Sequence, residues 1–332
     1  MKTKVLITGA GGFIGRYLVE AALGRGYEVW AGVRAASSRA HLPQDRVRCM
    51  DLKYADPPAL TAQLATHVRE HGAWQYVIHN AGLTRAVRRK DFALVNAEYT
   101  RRLLEALDGA GCRPQKFLLM SSLSSYGAGD EKTFRPIARE DARHPETAYG
   151  QSKCLAETYV ERQKAIPWII LCPTGVYGPG ERDYRMAIQG IRAGFDLAAG
   201  RKPQFLSFIY VKDLAELAFR ALENPASRNC RYLASDGRRY ADTEFARLVQ
   251  VLTGRKHVLH LRLPLWAVYL CCLLSEGAGR LTGRATTLNT DKYGILKQRN
   301  WTCDVEPLRR ELGFSPAYDL RRGLEETVRN EF

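Results

Sequence analysis

Through the first half of the chain, short apolar runs alternate with segments whose apolar residues recur every three or four positions. The runs at 4–8, 27–33, 47–50, 76–79, 116–120 and 168–172 read as strands, most of them continuously apolar and so buried on both faces. Between them, 13–23, 57–71, 92–107 and 149–163 keep their apolar residues on one helical face, as Leu60, Leu64 and Val68 do in the second. This alternation predicts an α/β fold, a doubly wound parallel sheet with helices on both sides. After Pro173 the pattern loosens, and proline and glycine crowd 173–180. A short strand at 205–210, helices at 213–222 and 242–252 and an extended stretch at 258–263 predict a smaller, mixed lobe over a cleft. The division falls at 1–173 and 174–332, with part of the second segment returning to the sheet. No linker, repeat or low-complexity segment separates the two.

The first strand-to-helix junction reads Thr8-Gly9-Ala10-Gly11-Gly12-Phe13-Ile14-Gly15. Glycines there let the backbone turn tightly and approach a phosphate, and the helix start presents free N–H groups and a partial positive charge. The spacing is G-x-x-G-x-x-G rather than G-x-G-x-x-G, and its place after a strand points to a pyrophosphate-binding turn. The second strand ends at Arg34, followed by Ser37, Ser38 and Arg39. An acidic residue at that position would bond the ribose 2′-hydroxyl of NAD, whereas an arginine accommodates a 2′-phosphate. Arg34 therefore favours NADP, with NAD as the alternative. Asp51-Leu52 ends the third strand at the edge where ligands bind, and its carboxylate suits an adenine amino group. His79-Asn80-Ala81-Gly82 ends the fourth strand with residues small enough for a cofactor to lie close.

Tyr149 and Lys153 are four apart on a helix and share a face, with Ser121-Ser122 upstream at a strand end. The lysine charge favours tyrosinate and is expected to lower the phenol pKa toward the working range. Such a tyrosine can give a proton to a carbonyl oxygen or take one from an alcohol, while Ser122 hydrogen-bonds the same oxygen.

Composition narrows the partners. The 332 residues carry a net charge of +15, in small basic groups such as Arg85, Arg88, Arg89 and Lys90. Nucleic acid is not expected, because no long basic run or aromatic-interleaved stripe appears. Most of these groups read as a solvated basic surface; anionic small molecules or an anionic membrane surface would also profit from it. The eight cysteines show no metal-ligand spacing, so no metal site is expected and the thiols read as reduced. Met1-Lys2-Thr3-Lys4 runs straight into a strand, which predicts a cytoplasmic chain without a signal peptide. The longest apolar run, 263–274, is far short of the roughly 20 residues of a membrane span. It begins at a proline and is apolar all round. Two roles fit it: burial under the lobe, or a wall for an apolar substrate that also rests on a membrane surface beside Arg262, Arg280 and Arg284.

Taken together, 8–15, Asp51-Leu52, 79–82, Val95-Asn96 with Thr100, 121–127, 149–153, 173–180, 208–214 and the Glu311-Leu312-Gly313-Phe314-Ser315-Pro316 ending resemble the extended short-chain dehydrogenase/reductase family. That family includes nucleotide-sugar epimerases and hydroxysteroid dehydrogenases. The resemblance implies a Rossmann domain with NAD(P) across its carboxyl edge and a Ser122, Tyr149 and Lys153 triad. It implies a cofactor set of Gly9, Gly12, Phe13, Ile14, Gly15, Arg34, Asp51, Leu52, Asn80, Ala81, Gly82, Tyr149 and Lys153, with Pro173, Thr174 and Val176 behind the nicotinamide ring. It also implies a homodimer through helices 92–107 and 149–163. Thr84, Ser124, Tyr177 and Trp266 stand as substrate contacts. Ser122 is followed by Leu123 and Ser124 rather than by acidic residues, which argues against dehydration. The approach Gln204-Phe205-Leu206-Ser207 lacks the arginine that nucleotide-sugar enzymes place there, and 263–274 resembles the hydroxysteroid and lipid-reductase branches. The expectation is an NADP-dependent oxidoreductase interconverting a ketone and a secondary alcohol on a hydrophobic sterol-like or lipid-like substrate. A nucleotide-sugar epimerase or reductase, and a non-catalytic NADP-binding scaffold, remain the alternatives; the complete triad argues against the scaffold.

Overall fold

Seven strands form one parallel sheet because their residues suit burial on both faces. In the computed structural model, which describes residues 2–35 and 39–332, the chain starts with β1 (Lys4–Thr8), α1 (Phe13–Gly24), β2 (Glu28–Gly32), β3 (Val47–Met50), α2 (Pro57–His71) and β4 (Tyr76–His79). A helical stretch follows as α3 (Arg89–Phe92), a π turn at Ala93–Glu98, and α4 (Tyr99–Gly109). Next come β5 (Lys116–Met120), α5 (Ala148–Arg162) and β6 (Trp168–Pro173). The sheet order is β3, β2, β1, β4, β5, β6, with a last strand at Cys230–Ala234 beside β6. The order reverses between β1 and β4, which opens a crevice at the carboxyl ends of those strands.

The predicted strands at 4–8, 47–50, 76–79 and 116–120 form with those bounds, as does the helix at 57–71, capped by Asp56 accepting from the Ala59 amide at 3.0 Å. The helix expected at 92–107 starts earlier, at Arg89, and carries the π turn.

The rest of the chain forms β7 (Gly175–Tyr177), α6 (Arg182–Ala193), β8 (Phe195–Ala199), β9 (Phe205–Leu206), β10 (Phe208–Tyr210), α7 (Val211–Glu223), β11 (Cys230–Ala234), β12 (Tyr240–Ala241), α8 (Asp242–Leu252), β13 (Leu259–Leu263), α9 (Leu265–Thr282), α10 (Thr290–Leu296), β14 (Asn300–Trp301), α11 (Glu306–Leu312) and α12 (Leu320–Glu331). α7 packs on α1, and β11 joins the large sheet beside β6. A second, smaller core joins Tyr177, Ile188, Ile191, Phe208, Tyr210, Phe245 and Leu324. The strand expected at 205–210 breaks at Ser207. β9 pairs with β12 and β14, while β10 pairs with β7, so the two halves belong to different sheets.

Candidate active site

The glycine turn is shaped by backbone contacts that no side chain could share. Gly9 takes φ +66°, and a Cβ there would lie 2.8 Å from the Ala81 backbone. A Cβ at Gly15 would lie 2.1 Å from the Gly9 carbonyl oxygen, so the first turn of α1 can sit on the loop only with glycine there. The Gly12 amide donates to Gly9 O at 3.0 Å, and Gly12 begins α1 without a side-chain cap. The remaining first-turn amides, those of Phe13 and Ile14 among them, are left for an anion. This cradle fits a dinucleotide pyrophosphate. Thr8 fastens it to the next strand: its Oγ1 accepts from the Ala81 amide at 3.0 Å and meets His79 Nδ1 at 2.9 Å. Asn80 donates to Gly9 O at 3.4 Å.

At the end of β2, Arg34 is exposed, and Asp51 accepts from the Ala35 amide at 3.1 Å. Leu52 is buried beside them. Ser37 and Ser38 lie outside the described residues. On the far side of the crevice the Thr174 amide donates to Ala234 O at 3.0 Å, after Pro173 at the end of β6, and Val176 pairs with Ile209. Sequence and structure thus bring Gly9, Gly12, Gly15, Asn80, Ala81 and Gly82 together around one crevice.

Two chain segments meet at the chemistry. Gly150 lets the turn after β5 press onto α5, since a Cβ there would sit 2.3 Å from Ser124 O. The Ser122 hydroxyl accepts from the Ser124 amide at 3.2 Å and lies near enough to the Tyr149 phenol to favour its ionised form. Burial pushes the Tyr149 phenol up to about 12, and Ser122 opposes it. That direction is opposite to the sequence expectation. The reason is burial, which outweighs every other influence on the phenol; Lys153 is itself buried and donates to Met120 O at 2.9 Å. Desolvation pulls its ammonium down to about 8, against the opposing charges of Glu157 and Cys172. Its Nζ also stands 3.3 Å from where a Gly82 Cβ would be, between the cradle and α5.

Three supporting residues carry no motif that sequence reading used as chemistry. Asn96, buried in the π turn, accepts from the Leu83 amide at 2.7 Å and donates to Leu83 O and to Ser152 Oγ. It holds the loop after β4 against α5, which gives the π turn a reason. Glu157, fully buried one turn beyond Lys153, pairs with Arg143 at 2.8 Å and Arg231 at 3.0 Å and accepts from Ser121. Asp291, from α10 of the lobe, accepts from the amides of Ala148 at 2.6 Å and Tyr149 at 3.2 Å. In the sequence Asn96 stood out only as part of the Val95-Asn96 and Thr100 resemblance, with no role attached to it.

The expected substrate contacts separate. Thr84 is exposed on the loop after β4, and Ser124 is partly buried beside Ser122. The next residue, Arg85, pairs with Asp183 of α6, which also takes Lys292 at 3.1 Å, bridging the two halves. Tyr177 is not a cleft residue: it is 1% exposed in the lobe core, and its hydroxyl donates to Asp319 O at 3.0 Å. Trp266 is 71% exposed on the outside of α9. The uncharged approach at 204–207 gains arginines from elsewhere. Arg239 lies 3.5 Å over the Phe205 ring, and Arg299 lies 4.8 Å over Phe134, which packs edge-on against Phe205.

A family model described as the NAD dependent epimerase/dehydratase family matches residues 5–233. A 3-beta-hydroxysteroid dehydrogenase of Mycolicibacterium neoaurum is 27% identical over 98% of this chain and 90% of its own length. A UDP-glucose 4-epimerase of Vibrio cholerae is 25% identical over 99% of this chain and 95% of its own. The fold matches a crystal structure of UDP-glucose 4-epimerase with UDP-glucose from Thermotoga maritima, with TM-score 0.75, 20% identity and 98% of each chain covered. The parallel sheet and its reversal of strand order agree with these matches, and the chain belongs to the NAD-dependent epimerase/dehydratase family of extended short-chain dehydrogenases/reductases, enzymes acting on CH–OH groups.

Proposed function

We propose that the chain is an NADP-dependent oxidoreductase interconverting a ketone and a secondary alcohol on a hydrophobic, sterol-like or lipid-like substrate. The observation that carries this reading is the Ser122–Tyr149 pair beside Lys153 at the mouth of the glycine cradle. Tyr149, held protonated by burial, gives its proton to the ketone oxygen in reduction and takes it back in oxidation. Ser122 hydrogen-bonds the same oxygen and keeps it in line with the phenol. Lys153, still largely charged at neutral pH, favours the tyrosinate left behind and, close to Gly82, would hold the ribose of a bound cofactor. The dinucleotide, when bound, gives or accepts the hydride at the carbonyl carbon. Gly9, Gly12 and Gly15 would hold its pyrophosphate, Asp51 its adenine, and Arg34 a 2′-phosphate. Phe92, edge-on to Tyr149 at 6.0 Å, gives the site an apolar wall. The eight unpaired thiols support a reducing, cytoplasmic setting.

One observation favours a nucleotide-sugar substrate instead: Arg239 and Arg299 flank Phe205 and Phe134, where two guanidinium groups suit a diphosphate. The deciding experiment titrates NADPH against NADH and then screens ketosteroids, keto-lipids and nucleotide sugars. Tighter NADPH binding with turnover of an apolar ketone is the expected result. Thermal stabilisation by a UDP- or GDP-sugar at micromolar levels, without turnover of any apolar ketone, would replace this reading with the second.

A further inference from the structure

The β8–β13 ribbon is amphipathic with its apolar side in water. Its parallel register sets Phe195 beside Leu259 and Leu197 beside Leu261, so these four side chains share one face. All four are exposed, Phe195 and Leu259 at 53% and Leu197 at 63%. The alternate positions are polar or small and are partnered: His260 meets Asp196 at 2.9 Å, and Arg262 pairs with Asp242 at 2.9 Å. One residue beyond the ribbon, α9 repeats the arrangement. Val268, Cys272 and Gly279 face the protein, while Trp266, Tyr269, Leu270, Leu273 and Leu274 form an exposed stripe at helical spacing. Leu265 ties the two together, lying where a side chain on Gly200 would touch it at 3.5 Å. An apolar surface of this extent marks an interaction site.

Charge names the occupant. Between residues 254 and 284 there are five basic residues and one acidic residue, Glu276. Glu276 is taken by Arg280, and Arg262 by Asp242. Arg255, Lys256 and Arg284, with Arg201 and Lys202 at the end of β8, are exposed and pair with no carboxylate among the described residues. A second copy of the chain would set these cations against each other. No helix among the described residues is long and apolar enough to cross a membrane. Aromatic and leucine side chains ringed by free cations fit the headgroup boundary of an anionic bilayer. We propose that the β8–β13 ribbon and α9 dock the protein on an anionic membrane surface, with Trp266, Leu270 and Leu274 inserted and Arg255 and Lys256 on the headgroups. The docked helix stands close to the chemistry. Tyr269 packs on Tyr293 of α10 at 5.1 Å, and Asp291 of the same helix holds the amide of Tyr149. The docking does not rest on the substrate reading above.

The test is flotation of the full chain with vesicles of phosphatidylcholine alone or mixed with phosphatidylglycerol, at low and high salt. The chain should float with the mixed vesicles at least about tenfold more than with phosphatidylcholine, and high salt should reduce the difference. An Arg255→Glu, Lys256→Glu double variant should lose the preference for anionic lipid. A Leu270→Ser, Leu274→Ser double variant should lose binding at both salts. Both should retain the wild-type unfolding temperature and dinucleotide titration, which shows them folded. Equal recovery of the wild-type chain with and without phosphatidylglycerol overturns the proposal. So does a wild-type dimer in lipid-free solution that the leucine variant dissociates, because the patch is then a protein interface.

Discussion

The seven-stranded half and the C-terminal lobe turn their apolar residues in opposite directions. In the first, Val5, Leu6, Ile7, Val77, Ile78, Leu118 and Ile170 are inaccessible, and what faces the crevice is backbone, glycine and a few polar groups. In the second, a compact aromatic core coexists with a ribbon and a helix whose largest side chains are in solvent. The first half is built to hold a ligand by shape, so its site residues are fixed by steric demands a few tenths of an ångström wide. The lobe is built around surfaces, where a residue's role depends on what comes to meet it. On the function proposed above, chemistry is localised by the first half and selectivity by the second.

Removing the phenol oxygen is the strongest way to test the first side of that comparison. Tyr149→Phe should lower turnover by about 10²–10⁴-fold, the usual range for a general acid–base, while dinucleotide affinity stays at the wild-type value. Stopped-flow hydride transfer with a parallel fluorescence titration reads both, and retained turnover would take the chemistry away from α5.

A pH series tests the buried polar side of the cradle. Burial, then the charge of Lys153, drives the His79 imidazole from 6.5 down to about 3. Between those values the unfolded chain takes up a proton that the folded protein refuses, so stability falls as pH falls across that window. Each proton withheld steepens the slope by about 1.4 kcal/mol per pH unit. His79→Gln should flatten the denaturation-midpoint profile below pH 6.5; an unchanged slope would mean the imidazole is protonated in the folded state.

The same substitution should have opposite signs in the two regions. Gly15→Ala places a methyl 2.1 Å from Gly9 O, and overpacking of that kind costs about 1–3 kcal/mol. Its melting temperature should drop and dinucleotide binding should weaken. Gly277 lies on exposed α9 with nothing within 4 Å of the added atom. Gly277→Ala should stabilise by about 0.5–1 kcal/mol through helix propensity. Equal effects at both sites would erase the contrast between shape-bound and surface-bound halves.

The smallest effect tests the bridge between them. Asp291→Ala removes two bonds from the first amides of α5, at a cost of about 1 kcal/mol for a lost cap. We expect kcat to fall by up to about tenfold with cofactor affinity unchanged, and Asp291→Asn to restore part of it. A loss confined to cofactor binding would show that the lobe acts on the cradle instead.

Several features were legible before the structure because each is local. Continuous apolar runs gave four strands with their bounds, and Gly9, Gly12 and Gly15 marked the turn where the backbone must pass close to itself. Other features were not legible because they join residues far apart. Asn96 reaches Leu83 and Ser152 across a π turn, and Arg239 reaches a segment that looked uncharged. Tyr177 sits in a motif-rich stretch, which made it look like a substrate contact. β7 pairs with β10, and that pairing carries its ring into the lobe core.

The sequence by itself determined the α/β alternation, the phosphate-binding turn and the tyrosine–lysine pair, because each follows from spacing within one turn of helix or one strand end. Only the tertiary structure decided the direction of the proton affinities and the face that α9 shows to solvent. Whether Lys153 lowers the Tyr149 phenol depends on how much water surrounds each and on which carbonyl the ammonium meets. Whether an all-apolar helix is buried depends on what the rest of the chain leaves room to cover. Desolvation and coverage belong to the packed assembly of all the elements, and no local stretch of sequence contains them.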